Sequence, residues 1–518
     1  MSSLRSWLQG VFDGHSDAMS DPTTLAIAVA LLVVLITTRL STGRTRSKAA
    51  GASTPSMPPY WVPFFGHVPQ TMLGFDSFLS GLHKRYTEGV FSVKLFGSTH
   101  NFVTQPALVT PLMNQPESVA STNWLGWRIA RYVFGARKND SQDLIRKTED
   151  RYHVLSSTKS LEQMTNGTIS TLRRNLADWV TFNSQPADQM EWEQVAGADV
   201  VQDSRGENVV EVDLMELTRT FVARMATPSV FGSDFDNNFP DFPQLVWLLD
   251  KHFPLLAANI PGWIPWRPLQ LARAARRKLL GYLEEYHDAR EKDTMGEDPG
   301  AKWENLEDVS DYMQDRLEVF RREGASIRYR ATLDLAMLWA MNANSSPLVF
   351  WLLYEINRDR VLLENIREEI APYMEVVQPK NEFGLAVWMA PDIRKVDVDG
   401  LMEKCPLLKA SYVETLRLYT SSYSIKWMAT DAVLGKSSDP NGNFVLEKGS
   451  YAHASHEMHQ LDERYYPDPH EWQPARHIKE TVDEKGHKTQ SVDLGTIRPY
   501  GMCILPTTSL VSLMLIFM

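Results

Sequence analysis

Two stretches of the chain hold side chains whose types and spacing could do chemistry. In CPLLKASYVETLRLYTSS, Glu414 and Arg417 lie three residues apart and share one helical face. Such a carboxylate–guanidinium pair is ordinarily solvated at the surface. Here the neighbours are apolar, which predicts a buried pair, and a buried pair is tolerated only with further hydrogen bonds. Arg476, in DPHEWQPARHI, is the expected third partner. A Glu414–Arg417–Arg476 network would pin an irregular, proline-bearing segment to the helix. The second stretch is TIRPYGMCILPTTSLVSLMLIFM, which contains Cys503, one of only two cysteines. A thiolate there could ligate a metal, whereas Cys405 leads into an apolar helix and reads as a small core residue.

The elements that must position these groups are mainly helical. Residues from about 140 to 420 place apolar side chains at three- and four-residue spacing, as in RPLQLARAARRKLLGYLEEYHDAREK and EDVSDYMQDRLEVFRREG. Strand-like pieces flank this block: GVFSVKLFGSTHNFVTQ before it, SIKWMATDAVL and NFVLEKGSYAHAS after it, the last two separated by a turn signal, SDPNGN. The fold class expected is mainly α with small antiparallel β-sheets. ANIPGWIPWRP interrupts the helices with prolines around Trp263 and Trp266, either as a loop at a membrane surface or as an aromatic connector.

Composition narrows the partners. With 53 basic against 64 acidic side chains, a net charge of −11 argues against nucleic acid. Two cysteines in 518 residues give no disulfide framework, as expected in reducing cytosol. TTLAIAVALLVVLITT, from Thr23 to Thr38, carries no charge and is read as a membrane anchor over residues 23–40. A cleaved signal would have basic residues in front, yet Asp13, Asp17 and Asp21 precede it. Arg39, Arg44, Arg46 and Lys48 follow, so the positive-inside rule puts residues 1–22 in the lumen and the rest in the cytoplasm. Residues 41–63 form a basic and proline-rich linker, stiffened by Pro55, Pro58, Pro59 and Pro63.

Glu414-x-x-Arg417 followed by Trp472-Gln-Pro474-Ala-Arg476-His477, behind an anchor and the PPYWVPFFGH entry, resembles the K helix and meander of a cytochrome P450. WAMNANSSPLVFWLLYEINRD resembles the central I helix of the branch holding sterol 7α- and 12α-hydroxylases and prostacyclin synthase. The resemblance implies a catalytic domain over residues 64–500 that binds haem b. It also implies an NADPH–cytochrome P450 reductase as electron donor, a lipophilic substrate (sterol, terpenoid or another secondary metabolite) and an endoplasmic-reticulum membrane. Asn344 and Ser345 match the positions that arrange water and protons at the helix bend, although they could simply form a kink ahead of Pro347. Lys426 and Arg498 match basic groups that hold the haem propionates. A rearrangement that needs no reductase is the alternative reaction, as in prostacyclin synthase.

The family's thiolate lies in a glycine-rich loop, Phe-x-x-Gly-x-x-x-Cys-x-Gly, and Cys503 is the candidate iron ligand. Arg498, Pro499, Tyr500 and Gly501 fit the approach. Beyond Gly501 the likeness ends: Cys503 follows a single Met, no second glycine appears, and Pro506 interrupts a helix starting at the Cys. Residues 501–518 are therefore read as an aberrant tail. It marks a truncated or mis-spliced product that is non-catalytic and lacks haem, a mistaken end on a sound gene, or an altered loop that still ligates iron.

Overall fold

The computed structural model describes residues 22–43, 52–151, 154, 157–377, 391–435, 443–482 and 488–498. The residues before 22, the tail from 499 and most of the SDPNGN turn lie outside them. The chain divides into two compact units, one of Met1–Thr122 with Ser422–Tyr465, the other of Asn123–Ser421 with Tyr466–Met518.

In the first unit, alternating apolar and polar residues form five strands: β1 (Val90–Leu95), β2 (Ser98–Val103), β3 (Ala120–Ser121), β4 (Tyr423–Met428) and β5 (Tyr451–Ser455). Their order is β1-β2-β5-β4-β3. The sheet is mixed rather than wholly antiparallel as expected, because β5 runs parallel to β2. Val90, Phe91, Val93, Phe102 and Val103 fill its core. A two-residue turn, Phe96-Gly97, joins β1 to β2, since Leu95 pairs with Ser98. Both turn residues have positive φ, 46° and 79°, the type I′ pattern that Asn-Gly ordinarily supplies.

Helix α1 (Pro22–Ser41) exposes Leu25, Ile27, Val29, Leu31, Leu32 and Val33 around its girth. Among the described residues, no helix is long and apolar enough to cross a membrane; in α1 the unbroken run of described side chains starts only at Leu25 and takes in Arg39. The segment read as an anchor is helical, but the described residues contain no apolar span that supports a membrane-crossing anchor. The described part of the proline-rich linker, residues 52–63, is not free. Ser53 bridges to Phe444 and Ser56 to Phe91, so it lies along the strands of this unit. Helix α2 (Pro106–Met113) opens with Pro106, whose fixed φ suits a first helical position.

The second unit is helical: α3 (Thr158–Asn175), α4 (Leu214–Ala226), α5 (Arg267–Met295), α6 (Asp311–Arg322), α7 (Ile327–Ala343), α8 (Ser345–Arg358), α9 (Arg360–Ile370) and α10 (Pro406–Tyr419) are its principal members. In α5 the buried positions include Leu269, Ala272, Ala275, Leu279, Leu283 and Tyr286, three or four apart, and the helix stops at left-handed Gly296. Each fully buried Leu there contributes roughly 1.5–3 kcal/mol. Helix α10 starts at Pro406, and the Glu369 carboxylate of α9 accepts from Leu407 N and Leu408 N, both at 2.9 Å. A negative charge on a helix N-terminus satisfies free amides and opposes the dipole. Three hairpins interrupt the block read as helix or extend beyond it: 199–211, 374–396 and 478–492. Their strands are short and polar on at least one face, too short for period-two alternation to outweigh the helical pattern around them. Trp263 is exposed and Trp266 partly so, which settles that segment as a surface loop.

Candidate functional site

The Glu414 and Arg417 side chains are both fully buried. Arg417 donates through Nε and Nη2 to the two Glu414 oxygens, each at 2.8 Å, which is the bidentate fork that suits a guanidinium. Its remaining N–H groups reach Pro469 O (2.7 Å) and Glu471 O (3.1 Å). Arg476 Nε donates to Glu414 Oε1 at 3.0 Å, and Gln473 N donates to the same oxygen at 2.9 Å. His477, which the sequence did not single out, donates from Nε2 to Glu414 Oε2 at 2.7 Å. Burial pushes the Glu414 carboxyl up, but the hydrogen bonds from Arg417, His477 and Gln473 outweigh it and hold the group below its ordinary value. The segment 467–477 is thereby fastened to α10 by one carboxylate.

The network reaches toward the tail. The Arg417 guanidinium lies 5.3 Å from the Tyr466 ring centroid, and the Tyr466 hydroxyl meets Thr496 Oγ1 at 3.3 Å. Half-buried Arg498 stands two residues further, at the edge of the described part. Cys503 lies outside the described residues.

Between α7 and α8 the helix breaks at Asn344 (φ −99°, ψ −41°). Pro347 has no N–H, so the Ala343 carbonyl loses its usual partner and the ladder opens. Asn344 Nδ2 donates to Ala340 O (3.2 Å) and Ser345 Oγ to Met341 O (2.5 Å), one turn back. Their protons thus serve the bend, while the Asn344 and Ser345 oxygens remain acceptors. Buried Asn342 donates to Leu338 O (2.9 Å) and Thr227 Oγ1 (3.4 Å). Its Oδ1 and the Oγ of buried Ser346 have no hydrogen-bond partner among the described residues. Two unmatched buried acceptors one turn apart on either side of a broken helix are the polar lining that ordered water ordinarily satisfies.

In the first unit, Lys426 projects from β4 and donates through Nζ to Met113 O and Gln115 O, both at 2.9 Å. These are carbonyls at the C-terminal end of α2, where a cation opposes the helix dipole. Burial lowers the Lys426 ammonium below its ordinary value, and the Glu117 carboxylate partly restores it. Two of its three N–H donors are therefore engaged within the unit.

A haem iron of this kind asks for a thiolate, and the described residues do not supply one. Cys405 is buried, its Sγ donates to Glu369 O (3.6 Å), and burial together with the Glu369 carboxylate pushes the thiol up to about 11. A thiol of that kind stays protonated at neutral pH and makes no iron ligand.

A second buried ion cluster also escaped the sequence reading. Arg316 Nη2 and His287 Nε2 approach Asp334 at 2.6 and 3.0 Å, and all three side chains are buried. Desolvation lowers His287; it raises Asp334 too, but Arg316 and His287 outweigh it and hold that carboxyl low. The cluster ties α5, α6 and α7 together and lines no cleft.

Comparison with known proteins places these features. The chain is 24% identical to the cytochrome P450 monooxygenase efuG of Hormonema carpetanum over 386 residues, covering 73% of this chain and 63% of that protein. It is 22% identical to cytochrome P450 7B1 of Mus musculus over 456 residues, covering 85% of this chain and 78% of that one. A cholesterol 7-alpha-monooxygenase of Cricetulus griseus is 28% identical over 255 residues, 48% of this chain and 43% of its own length. The chain thus spans less than two thirds of efuG and less than half of the Cricetulus protein. A sequence model described as cytochrome P450 matches residues 55–492, which takes in β1 through the Glu414 network. The chain belongs to the cytochrome P450 family.

Proposed function

We propose that the chain is a haem-thiolate monooxygenase that hydroxylates a lipophilic substrate with O2 and electrons from an NADPH-dependent reductase. The observation that carries the reading is the Glu414–Arg417–Arg476–His477 lock, assembled in full within the span matched to the family. It holds the segment ahead of the cysteine loop in one shape. A sterol-like or terpenoid substrate is favoured because one relative is named for cholesterol and another is a fungal monooxygenase. Cys503 would ligate iron, Lys426 and Arg498 would pair with propionates, and Asn344 and Ser345 would order water at the helix bend. The exposed apolar girth of α1, ending at Arg39, supports a membrane attachment with the rest of the chain on the cytoplasmic side.

The alternative is a haem-dependent rearrangement that takes no reductase electrons. One observation favours it: Ser345 spends its hydroxyl proton, and Asn344 one of its two amide protons, on carbonyls of their own helix. The reduced-plus-CO spectrum of the full chain tests the reading, since a thiolate-type Soret band requires ligated sulfur. Its loss in Cys503→Ser supports the ligand assignment. A colourless full chain overturns both enzymatic readings, and turnover without NADPH selects the rearrangement.

A further inference from the structure

Four arginines of the second unit gather around one widened turn without a carboxylate among them. The helix Asn123–Ile129 runs into the turn Ala130–Phe134, in which Gly135 N bonds back five residues to Ala130 O. Turns of this π type recur at functional positions. The Tyr132 and Val133 carbonyls accept from Arg276 Nη1 of α5, at 2.8 and 3.2 Å. The Tyr132 ring carries two more guanidinium groups, Arg128 at 5.2 Å and Arg131 at 5.4 Å from its centroid. Arg273, one turn before Arg276, donates to Ile260 O at 2.7 Å. All four arginines are half-buried.

Ion pairing does not account for them. Nearby cations on α5 and α7 are matched: Lys278 with Asp241, Arg328 with Glu284 and Arg330 with Glu291. Carboxylates are not scarce in a chain with 64 acidic against 53 basic side chains. Burial, followed by the fields of Arg273, Arg328 and Arg277, lowers the Arg276 guanidinium to about 10. It still carries its charge at neutral pH, so an anion placed here would relieve a repulsion that the described residues leave standing. Arg128 and Arg131 touch only aromatic rings among those residues, Trp124 at 4.8 Å and Trp127 at 5.9 Å being the others. A guanidinium lying over a ring keeps its in-plane N–H groups for a further acceptor.

The same turn leads into an apolar wall. Phe134 lies 5.7 Å from the Trp339 ring and 6.3 Å from that of Phe253, and Trp339 and Phe253 stack at 4.8 Å. The last two are only partly buried. Trp339 precedes the bend at Asn344 by five residues, roughly 7.5 Å of helix. Rings beside the bend and unpaired cations beyond them complement a molecule with an apolar body and an anionic end.

We propose that Arg128, Arg131 and Arg276 bind the anionic end, a carboxylate or phosphate, of an amphiphilic substrate whose apolar body lies along Phe253 and Trp339 toward the bend. This rests on the oxidation proposed above and names its substrate class; both anions suit the paired N–H groups of a guanidinium. Equilibrium dialysis of the full chain against radiolabelled dodecanoate, dodecyl phosphate and methyl dodecanoate tests it. At least one of the two anions is expected to bind about tenfold more tightly than the ester, the equivalent of one charge-assisted hydrogen bond, and the tighter one fixes the headgroup. Arg128→Gln with Arg131→Gln removes no hydrogen bond that holds the turn, and should cut the preference about fivefold while leaving ester binding unchanged. Arg173→Gln with Arg174→Gln takes the same charge from the exposed end of α3 and should leave the preference intact. Equal binding of anions and ester, no binding of either anion, or an equal loss in both double variants overturns the site. The reduced-plus-CO spectrum of the same sample separates the two proposals. A preference without the thiolate band keeps the anion site and sinks the oxidation; a band without the preference sinks the site alone.

Discussion

Replacing Glu414 with Gln keeps the shape of the side chain and removes its charge. The carboxylate accepts two bonds from Arg417 and one each from Arg476, His477 and Gln473 N. An amide offers one oxygen to these donors and turns an NH2 group against the rest. Arg417, fully buried, would then keep its charge without its carboxylate, although the Pro469 and Glu471 carbonyls still accept from it. Removing one partner of a buried ion pair costs about 3–5 kcal/mol, against a total stability on the order of 5–15 kcal/mol. Glu414→Gln is therefore expected to leave a folded but marginal protein, with a urea midpoint lowered by that free energy. Tryptophan emission reports it, because Trp472 Nε1 donates to Thr415 Oγ1 at 3.0 Å and leaves that site when the segment detaches. The parent carries a pH signature as well. Glu414 is held below its ordinary value, so its contribution is present above about pH 4.5 and is lost as pH falls through the depressed value. The variant should lack that part of the slope. Glu414→Leu with Arg417→Met should recover part of the loss, since the fully buried guanidinium goes with its carboxylate and Arg476 keeps the Pro467 and Asp468 carbonyls. A Glu414→Gln cost within about 1 kcal/mol, with the parent's pH slope intact, would refute the lock.

Three further outcomes follow from the same coordinates. Phe96→Asn gives the β1–β2 turn a residue suited to positive φ, so the free energy of urea unfolding should rise by about 1–3 kcal/mol; a fall in stability would remove the strain argument. Burial lowers His67, and burial with Lys94 lowers His100 to about 4, so the fold binds fewer protons than the unfolded chain between about pH 4 and 6.5. The first unit should be fully stable, with respect to these groups, above pH 6.5 and should lose stability as pH falls toward 4; His100→Gln should flatten the slope of the urea midpoint in that window. In a Cys503→Ser background, Cys405 should alkylate at least about a hundredfold more slowly in the folded than in the urea-unfolded chain, because its thiol is pushed up to about 11; equal rates by mass spectrometry would contradict its burial.

What could be seen beforehand divides along a physical line. Glu414, Arg417 and Arg476 were legible because a charged pair among apolar neighbours cannot be solvated, and the chain must bring it partners. His477 was hidden, since nothing in its type or spacing separates a donor to Glu414 from a surface histidine. The Asp334–His287–Arg316 cluster was hidden for a like reason: its members sit on three helices, and each alone fits a polar stripe. The long periodic helices were plain, whereas the hairpins at 199–211 and 374–396 were too brief to register within a helical block. Lys426 shows a different limit. Its position after the K helix matches a propionate partner, and nothing in the sequence foretold that two of its three N–H groups go to the Met113 and Gln115 carbonyls.

The Phe64 and Phe96 turns show why local rules can mislead. Phe96-Gly97 is a poor version of a favoured turn, and PPYWVPFFGH reads as an entry loop stiffened by proline. Neither stretch signals that Phe64 and Phe96 share a strained conformation, because φ is fixed only when Gly97 N finds Phe64 O and His67 spans Lys94 and Pro58. A loop folded for its own stability would have placed Asn or Gly at one of those positions. The chain places phenylalanine at both, and the bonds from Gly97 N to Phe64 O and from Lys94 N to His67 hold turns that those side chains disfavour.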